Sequence, residues 1–412
     1  MSIAANSRLS ARLLAVLYLE FALTGIVTTL LGPLIPLLVK RCSMSDAAAG
    51  SLVAAQFTGQ FVGALFANRN LRSSVLAGVP LITIGVGALP FSSCGLSYLC
   101  TACYGVGLGL TISAINLIIA GRQIERRAYS LTLLNLLWGV GAVSSPVLVE
   151  WARRHQLLSP TLLAVSIAGL ALWLAMIRSD LSSPQQDTRA AGSWYSPSLL
   201  LFGALFFLYV GVETSVGAWT PLYARRMQHV NDSFAASAVG CFWLALLSGR
   251  LINAALLRRV PESPIYRLSL AIMLGGLSLF LFSRSSLAVL VAASVTGLGL
   301  APLFPLILSF ASDSLLACRN SGWVFSSAGL GGAVVPWLTG QISTQFGSLR
   351  AGFMMPACAA VLIVALSLAR LGRGPHPGKV LSSFPMSSTG TNSTITFQWR
   401  VNPGSSGNDY AK

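Results

Sequence analysis

The stretch Gly32-Pro33-Leu34-Ile35-Pro36-Leu37-Leu38-Val39-Lys40-Arg41 occurs a second time, in altered form, as Gly217-Ala218-Trp219-Thr220-Pro221-Leu222-Tyr223-Ala224-Arg225-Arg226. The glycine, the second proline and the closing pair of basic residues coincide in the two copies. Further matches relate Gly107-Leu108-Gly109-Leu110 to Gly297-Leu298-Gly299-Leu300, and Gly139, Gly141 and Pro146 to Gly329, Gly331 and Pro336. The sequence therefore predicts two related halves, with matching positions about 190 residues apart.

Composition places this duplicated chain in a lipid bilayer. Of its 412 residues, 54% are apolar and 9% charged, and the mean hydropathy is +0.72, values that a soluble domain does not tolerate. Twelve apolar stretches are found, at 12–39, 46–67, 74–92, 96–120, 128–149, 158–178, 197–224, 233–257, 265–283, 286–312, 320–345 and 350–371. Most reach the roughly 20 residues that a helix needs to cross about 30 Å of hydrocarbon. Because the stretches are continuously apolar, we expect helices rather than barrel strands.

The predicted fold is thus an all-α membrane protein of twelve transmembrane helices in two pseudo-symmetric six-helix bundles. The expected domains are a first bundle (1–178), a polar cytoplasmic linker (179–196), a second bundle (197–371) and a disordered cytoplasmic tail (372–412) rich in Ser, Thr, Gly and Pro. Seven cysteines, scattered mostly through apolar segments, indicate no disulfide framework.

The net charge of +16 does not indicate a nucleic-acid partner, because the basic residues occupy short loops instead of one face or one domain. With both termini cytoplasmic, sixteen basic residues lie on that side and eight on the other, as the positive-inside rule requires. We expect a monomeric, multi-pass protein of a bacterial inner (plasma) membrane, with both termini in the cytoplasm.

Twelve helices in two related sets of six resemble the major facilitator superfamily. The family's loop signature between the second and third helices survives as Gly63-Ala64-Leu65-Phe66-Ala67-Asn68-Arg69, with asparagine where an aspartate is usual. The counterpart in the second half is Gly249-Arg250-Leu251. The resemblance implies gating or structural roles for Gly63, Arg69, Gly249 and Arg250. Because the acid of the signature is missing, an inner ion pair would need Glu125, Glu262 or Asp313.

Within that superfamily the chain is most similar to the fucose-permease-like branch of sugar:proton symporters. The similarity is carried by three segments, namely Tyr209-Val210-Gly211-Val212-Glu213 with Gly217, Trp219 and Tyr223, Asn135 with Trp138-Gly139-Val140-Gly141-Ala142 and Pro146, and Gly297-Leu298-Gly299 with Pro302, Phe304 and Pro305. It implies import of sugars or sugar-like solutes. Two acids of that branch are replaced here, by Gly32 and Ile112, although the asparagine at Asn116 is kept.

Two acids lie well inside the predicted helices, Glu20 in the first and Glu213 in the seventh. An ionised carboxylate in hydrocarbon costs several kcal/mol, roughly 2.5 to 3.5 on insertion scales, so each acid should face a wet cavity or carry a proton. Because burying these acids costs free energy, we infer that they serve a function, and we interpret Glu213 and Glu20 as proton-coupling residues. The alternative is a purely structural role, in which Glu213 caps a helix break or braces a neighbouring helix.

Amides and aromatic rings inside the helices are candidates for holding a polyol, which needs convergent hydrogen bonds and an aromatic platform. The predicted substrate-binding residues are Gln56, Gln60, Asn116, Asn135, Trp138 and Tyr209. Asn135 and Trp138 are three residues apart and share a helix face. The competing interpretation is that these amides tie helices together.

The leading hypothesis is a secondary active transporter that carries a small polar solute, a sugar, across the bilayer by alternating access with proton coupling. The alternatives are an exporter of amphipathic compounds and a transporter-like sensor without flux. An enzyme is disfavoured because the three histidines, His155, His229 and His376, are isolated outside the predicted helices. No cofactor or metal is implied.

Overall fold

The computed structural model describes residues 9–67, 70–122, 127–179, 181, 197–228, 231–257, 259–316 and 322–371. Its helices are α1 (Ala11–Thr29), α2 (Leu31–Cys42), α3 (Asp46–Ala67), α4 (Leu71–Ala88), α5 (Leu96–Arg122), α6 (Arg127–Arg154), α7 (Leu158–Met176), α8 (Pro197–Gln228), α9 (Asp232–Leu256), α10 (Glu262–Phe282), α11 (Ser286–Leu300), α12 (Leu303–Leu316), α13 (Gly322–Phe346), α14 (Leu349–Gly352) and α15 (Met354–Leu371). A 3₁₀ turn, Leu89–Phe91, follows α4. The expected linker, apart from Ser179 and Leu181, and the expected tail 372–412 lie outside the described residues.

Each of the twelve predicted stretches falls on a helix or on two consecutive helices, which confirms the all-α, twelve-helix class. Three crossings are made by helix pairs, α1 with α2, α11 with α12 and α14 with α15. In the described part of the chain, eleven helical segments are long and apolar enough to cross a membrane. The twelfth is α13, which has 25 residues but carries many glycine and hydroxyl residues.

A proline interrupts the first crossing between α1 and α2. Pro33 has no amide hydrogen to donate to the turn before it, so one hydrogen bond of the helix is lost there. The Thr29 hydroxyl donates to the Gly25 carbonyl at 3.1 Å and approaches the Ala142 carbonyl of α6 at 3.3 Å. The break is therefore stabilised by a contact with a neighbouring helix, as expected inside a membrane.

The predicted duplication is visible in the packing of equivalent glycines. A methyl group added at Gly141 of α6 would collide with the Ala22 carbonyl of α1. At the repeat mate, Gly331 of α13, it would collide with the Phe207 carbonyl of α8. The same pair of helices is thus packed through the same glycine in each half, which we call the first half (α1–α7) and the second half (α8–α15).

The structure shifts one part of the predicted repeat by two residues. Gly105 of α5 abuts the Gln56 carbonyl of α3, and Gly297 of α11 abuts the Phe242 carbonyl of α9. Gln56 and Phe242 are themselves equivalent, each seven residues before the matched glycines of the loop signature. Gly297 therefore corresponds to Gly105, and the predicted match of Gly107 with Gly297 is wrong.

The two halves meet mainly along three helix pairs, α2 with α8, α3 with α13 and α6 with α9. Repeat mates touch each other at Gly32 and Gly217, where an added methyl group on Gly32 would collide with the Gly217 carbonyl. Equivalent positions can contact each other only near the pseudo-twofold axis that relates the halves, so α2 and α8 lie beside this axis.

A disulfide bond joins Cys42, at the end of α2, to Cys94, in the connection before α5. The prediction of no disulfide framework is wrong at this point, because two cysteines 52 residues apart in sequence meet only when α2 and α4 end on the same side. Beside the bond, the Arg41 guanidinium donates to the Pro90 and Ser92 carbonyls at 3.2 and 2.7 Å. We call this side of the protein the disulfide end.

Replacing Gly331 with valine should destabilise the fold by roughly 1–3 kcal/mol, because its side chain must displace the backbone of α8. The matched control is Gly275→Val in α10, where an added Cβ meets no atom within 4 Å. Thermal unfolding of the two detergent-purified variants measures the difference. Equal melting temperatures would contradict this packing.

Candidate functional site

An ion pair lies within the second half, between Glu213 of α8 and Arg250 of α9. The Arg250 Nη2 and Glu213 Oε1 atoms are 3.5 Å apart, and the two side chains are 23% and 10% exposed. Helix α8 places the acid near its middle, far from either end. Since each charge compensates the other, the pair can remain ionised where a single charge would be costly.

Tyr209 lies one helical turn before Glu213 and is fully buried. Its ring packs against Phe304 with centroids 5.6 Å apart. Its hydroxyl lies within electrostatic range of Glu213 and Arg250 but has no hydrogen-bond partner among the described residues. The hydroxyl is therefore free to bond to a solute or to either charged side chain after a small movement.

The candidate residues of the first half include Asn135 and Trp138 of α6. Trp138 meets Trp243 of α9 edge to face, with ring centroids 6.0 Å apart and an interplanar angle of 78°. Asn135 is exposed, and its amide donates to the Leu131 carbonyl at 2.8 Å. Trp138 thus contacts the second half directly, whereas the hydrogen bond of Asn135 stays within α6.

Helices α6 and α9 run antiparallel, and their contacts fix which residues are level. Contacts run from Glu150 with Ser233, through Pro146 with Gly240, to Gly139 with Leu247. Continuing this register by one turn places Asn135 level with Arg250. Asn135 of the first half therefore lies at about the same level along this helix pair as Arg250, the partner of Glu213.

Two predicted amides are engaged within the first half. Gln56 is buried, accepts a hydrogen bond from the Tyr104 hydroxyl at 2.9 Å and donates to the Thr28 carbonyl at 2.9 Å, which ties α3 to α5 and α1. Asn116 is partly buried and donates to the Ile112 carbonyl at 2.9 Å. The Gln56 contacts suit the helix-tying interpretation that the sequence left open, whereas the Asn116 bond stays within α5.

Gln60 and Glu20 carry polar atoms without partners in the described part of the chain. The Oε1 atom of Gln60 is buried and unbonded. Both carboxylate oxygens of Glu20 are buried and unbonded, and the residue has no exposed surface. On α1, Glu20 is flanked by Leu17 and Phe21, which belong to an apolar cluster inside the first half. The two predicted proton carriers therefore lie in different surroundings.

The predicted gate glycines serve close packing. A methyl group on Gly63 would collide with the Val106 carbonyl of α5, and one on Gly249 with the Ala301 side chain beside α11. Arg69 lies outside the described residues. Of the acids considered for an inner ion pair, Glu262 accepts a hydrogen bond from Ser309 at 2.9 Å.

Sequence reasoning missed the partner of Arg250, which it assigned to a gate or to bracing. The two residues of the pair are 37 positions apart on different helices, so no local pattern connects them. One sequence signal could have indicated the pair. An arginine inside an apolar helix needs an anion, and few acidic residues lie inside the helices. Trp243 was also missed, since an isolated tryptophan in an apolar helix does not differ from a packing residue.

Two related sets of membrane-spanning helices that meet around polar side chains define a membrane transporter, not an enzyme. The chain belongs to the Major Facilitator Superfamily, whose sequence profile matches residues 17–317.

The chain is similar to characterised transporters over most of its length. The glucose/mannose transporter GlcP of Bacillus subtilis is 24% identical over 376 residues, which cover 84% of this chain and 92% of the relative. The cyanate transport protein CynX of Escherichia coli is 26% identical over 361 residues, which cover 82% and 92%. The solved structure of a D-xylose-proton symporter superimposes with a TM-score of 0.71 at 13% identity, covering 87% of this chain and 96% of that one. At that identity the structural likeness shows the fold alone.

Removing one member of the Glu213–Arg250 pair should cost more stability than removing both. Arg250→Met leaves a buried carboxylate without its cation, and we expect a loss of roughly 3–5 kcal/mol. Adding Glu213→Gln should restore much of that loss, as measured by thermal unfolding of purified protein. Arg154→Met is the control, since Arg154 is 58% exposed and its pair with Glu150 should contribute about 0–1 kcal/mol. Additive effects of Arg250→Met and Glu213→Gln would show that the two residues do not interact.

Proposed function

We propose that the protein is a secondary active transporter that moves a sugar across the membrane by alternating access, coupled to protons. The observation that carries this proposal is the buried Glu213–Arg250 pair with the Tyr209 hydroxyl beside it. Asn135 and Trp138 of the other half lie at about the same level on the neighbouring helix. The names of several relatives support a sugar as the solute, among them a glucose/mannose transporter and a glucose/galactose transporter of Brucella abortus.

The chemistry of the site suits a sugar. A sugar presents hydroxyl groups around its edge and a weakly polar ring face, and it is held by hydrogen bonds together with an aromatic surface. Arg250 and Tyr209 supply donors, Glu213 and the Asn135 carbonyl supply acceptors, and Trp138 supplies the ring. Because these groups come from both halves, the solute contacts both and can be released when the halves separate.

Proton coupling follows from the pairing of the two charges. When a proton enters from the outer side and bonds to the Glu213 carboxylate, the acid becomes neutral and loses its attraction for Arg250. The guanidinium is then available to the solute. After the halves rock, the proton leaves Glu213 on the inner side and the ion pair forms again. The cycle returns the site to its starting charge and carries one proton with each solute.

A small anion is the second candidate solute. The Arg250 Nε atom is buried without a hydrogen-bond partner among the described residues, so the guanidinium has a donor to spare. One relative is named for the transport of cyanate, an anion. In this version protonated Glu213 releases Arg250 to pair with the anion, and the assay below separates the two candidates by including both solute classes.

Counterflow in vesicles tests the solute and the coupling together. We expect labelled hexose to exchange in vesicles that contain the protein, and a proton gradient to drive its accumulation. Glu213→Gln should abolish accumulation and leave exchange, because a neutral amide cannot release a proton. The matched control is Asp187→Asn in the expected cytoplasmic linker, which should accumulate the solute normally. Normal accumulation by Glu213→Gln would remove the residue from the proton pathway, and exchange of cyanate without exchange of any hexose would select the anion.

The disulfide supports an orientation in which the disulfide end faces outward. Disulfides persist in oxidising compartments, whereas the cytoplasm keeps cysteines reduced. The chain crosses the membrane once before Cys42 and twelve times in all, so both termini lie on the inner side if this end is outside. The excess of basic residues on the same inner side agrees. We place the protein in the inner (plasma) membrane of a bacterium.

Fusions of green fluorescent protein and alkaline phosphatase test this orientation. Green fluorescent protein attached after Lys412 should fluoresce, because it folds in the cytoplasm. Alkaline phosphatase attached after Gly347, in the connection between α13 and α14 at the disulfide end, should be active, because it needs an oxidising compartment. The reverse pattern at both positions would invert the orientation.

A further inference from the structure

The acidic residues at the disulfide end repeat in the two halves. Asp46 is the first residue of α3 and Asp232 is the first residue of α9. Each lies seventeen residues before the matched glycine, Gly63 or Gly249, so the two aspartates are repeat mates. Both aspartates lie at helix N-termini, where the helix dipole favours an anion. Each of them, however, has at least one charged partner in the opposite half.

Asp46 is the more buried of the two and contacts two helices of the second half. Its Oδ1 atom accepts a hydrogen bond from Arg226 Nη1 at 2.5 Å, and its Oδ2 atom accepts one from Ser343 Oγ at 2.5 Å. The next residue, Ala47, donates its backbone amide to Thr344 Oγ1 at 2.8 Å. The first turn of α3 is therefore tied to the ends of α8 and α13.

The second set of contacts ties α9 to the end of α6. Asp232 lies 3.5 Å from Arg153 of α6 and 3.3 Å from Arg225 of α8. Its neighbour Ser233 donates to Glu150 Oε1 at 2.5 Å, and Glu150 is also bonded to Arg153 at 2.7 Å. Arg225 extends towards the first half, with Nη1 3.4 Å from the Pro36 carbonyl.

We propose that these contacts form the outer gate of the transporter, a latch made of Asp46 with Arg226 and Ser343 and of Asp232 with Arg153, braced by Glu150 and Ser233. The latch must break for the solute to enter from outside and must form again before the solute is released inside. The proposal rests on the alternating-access mechanism above but not on the identity of the solute.

Packing beneath the latch shows that this end is closed. Trp219 is fully buried between Gly50 of α3 and Gly340 of α13, and its Nε1 atom donates to the Pro336 carbonyl at 3.0 Å. Gly32 and Gly217 bring α2 and α8 into backbone contact nearby. Charged residues thus cover a layer of tight contacts between the halves at the disulfide end.

The two parts of the latch differ in strength. The Asp46 side chain is 7% exposed, whereas Asp232 is 29% exposed and its ion pairs are longer. A buried, directly bonded charge pair resists disruption more than an exposed one, which water and salt weaken. Asp46 should therefore control the balance between outward-facing and inward-facing states more than Asp232 does.

A reversible cross-link distinguishes a moving latch from a fixed brace. In the variant Asp46→Cys with Ser343→Cys, we expect a short bifunctional methanethiosulfonate to stop solute exchange, and a mild reductant to restore it. Each single variant, treated in the same way, reports the effect on the native cysteines. Exchange by the cross-linked protein at the rate of the single variants would overturn the proposal, since the two helices would then not need to separate.

Labelling of a cysteine beneath the latch measures the state directly and needs no solute. Gly240→Cys suits this purpose because an added Cβ there meets only Pro146, at 3.8 Å. We expect Asp46→Asn to raise the rate of labelling by an impermeant maleimide about fivefold, equivalent to about 1 kcal/mol. Asp232→Asn should raise it less, and Arg284→Gln, an exposed residue at the same end, should leave it unchanged.

Labelling is compared with protein that lacks Gly240→Cys, and folding is checked by size-exclusion chromatography. A labelling rate that Asp46→Asn does not change in folded protein would overturn the latch. The same result would leave the sugar proposal untouched, because that proposal is tested by counterflow. Failure of hexose exchange together with increased labelling would retain the latch and remove the sugar.

Discussion

Close contact between helix backbones is the interaction on which this structure depends. In a bilayer, exclusion of water does not drive helices together, so van der Waals contact and hydrogen bonds must do so. Gly141 against Ala22 and Gly331 against Phe207 bring backbones together within each half, and Gly32 against Gly217 does so between the halves. Few side chains interdigitate across such backbone contacts, so these surfaces are suited to separating and meeting again during transport.

On this nearly symmetric scaffold the charges are asymmetric. The repeat places Thr28 at the position of Glu213 and Ala64 at the position of Arg250, so the first half has no equivalent ion pair there. In the first half the Thr28 carbonyl instead accepts a hydrogen bond from Gln56, which is held by Tyr104. A neutral hydrogen-bond network in the first half thus stands where the second half has a charged pair.

Local patterns predicted the fold well, and contacts distant in sequence escaped prediction. Helix spans depend on continuous apolar runs, so all twelve were found, and repeated glycines and prolines within the helices indicated the duplication. The repeat was misaligned around Gly297 because the alignment relied on the Gly-Leu-Gly-Leu match. The correct alignment depends on which residue each glycine packs against, and the sequence does not show this. Trp219 is fully buried between the halves, a placement that no local pattern indicates. The partnership of Arg250 with Glu213 and that of Asp46 with Arg226 arise only when helices far apart in sequence become neighbours.

The covalent bond between Cys42 and Cys94 has a consequence for motion. Both cysteines belong to the first half, and Arg41 adds two further links to the same connection. The bond therefore does not span the boundary at which the halves part. The bond holds the end of α2 against the rest of the first half, so that the first half can tilt as a single body. The helix break at Pro33 keeps its shape during this movement. Without the bond, the first half would deform at the end of α2 when the two halves part.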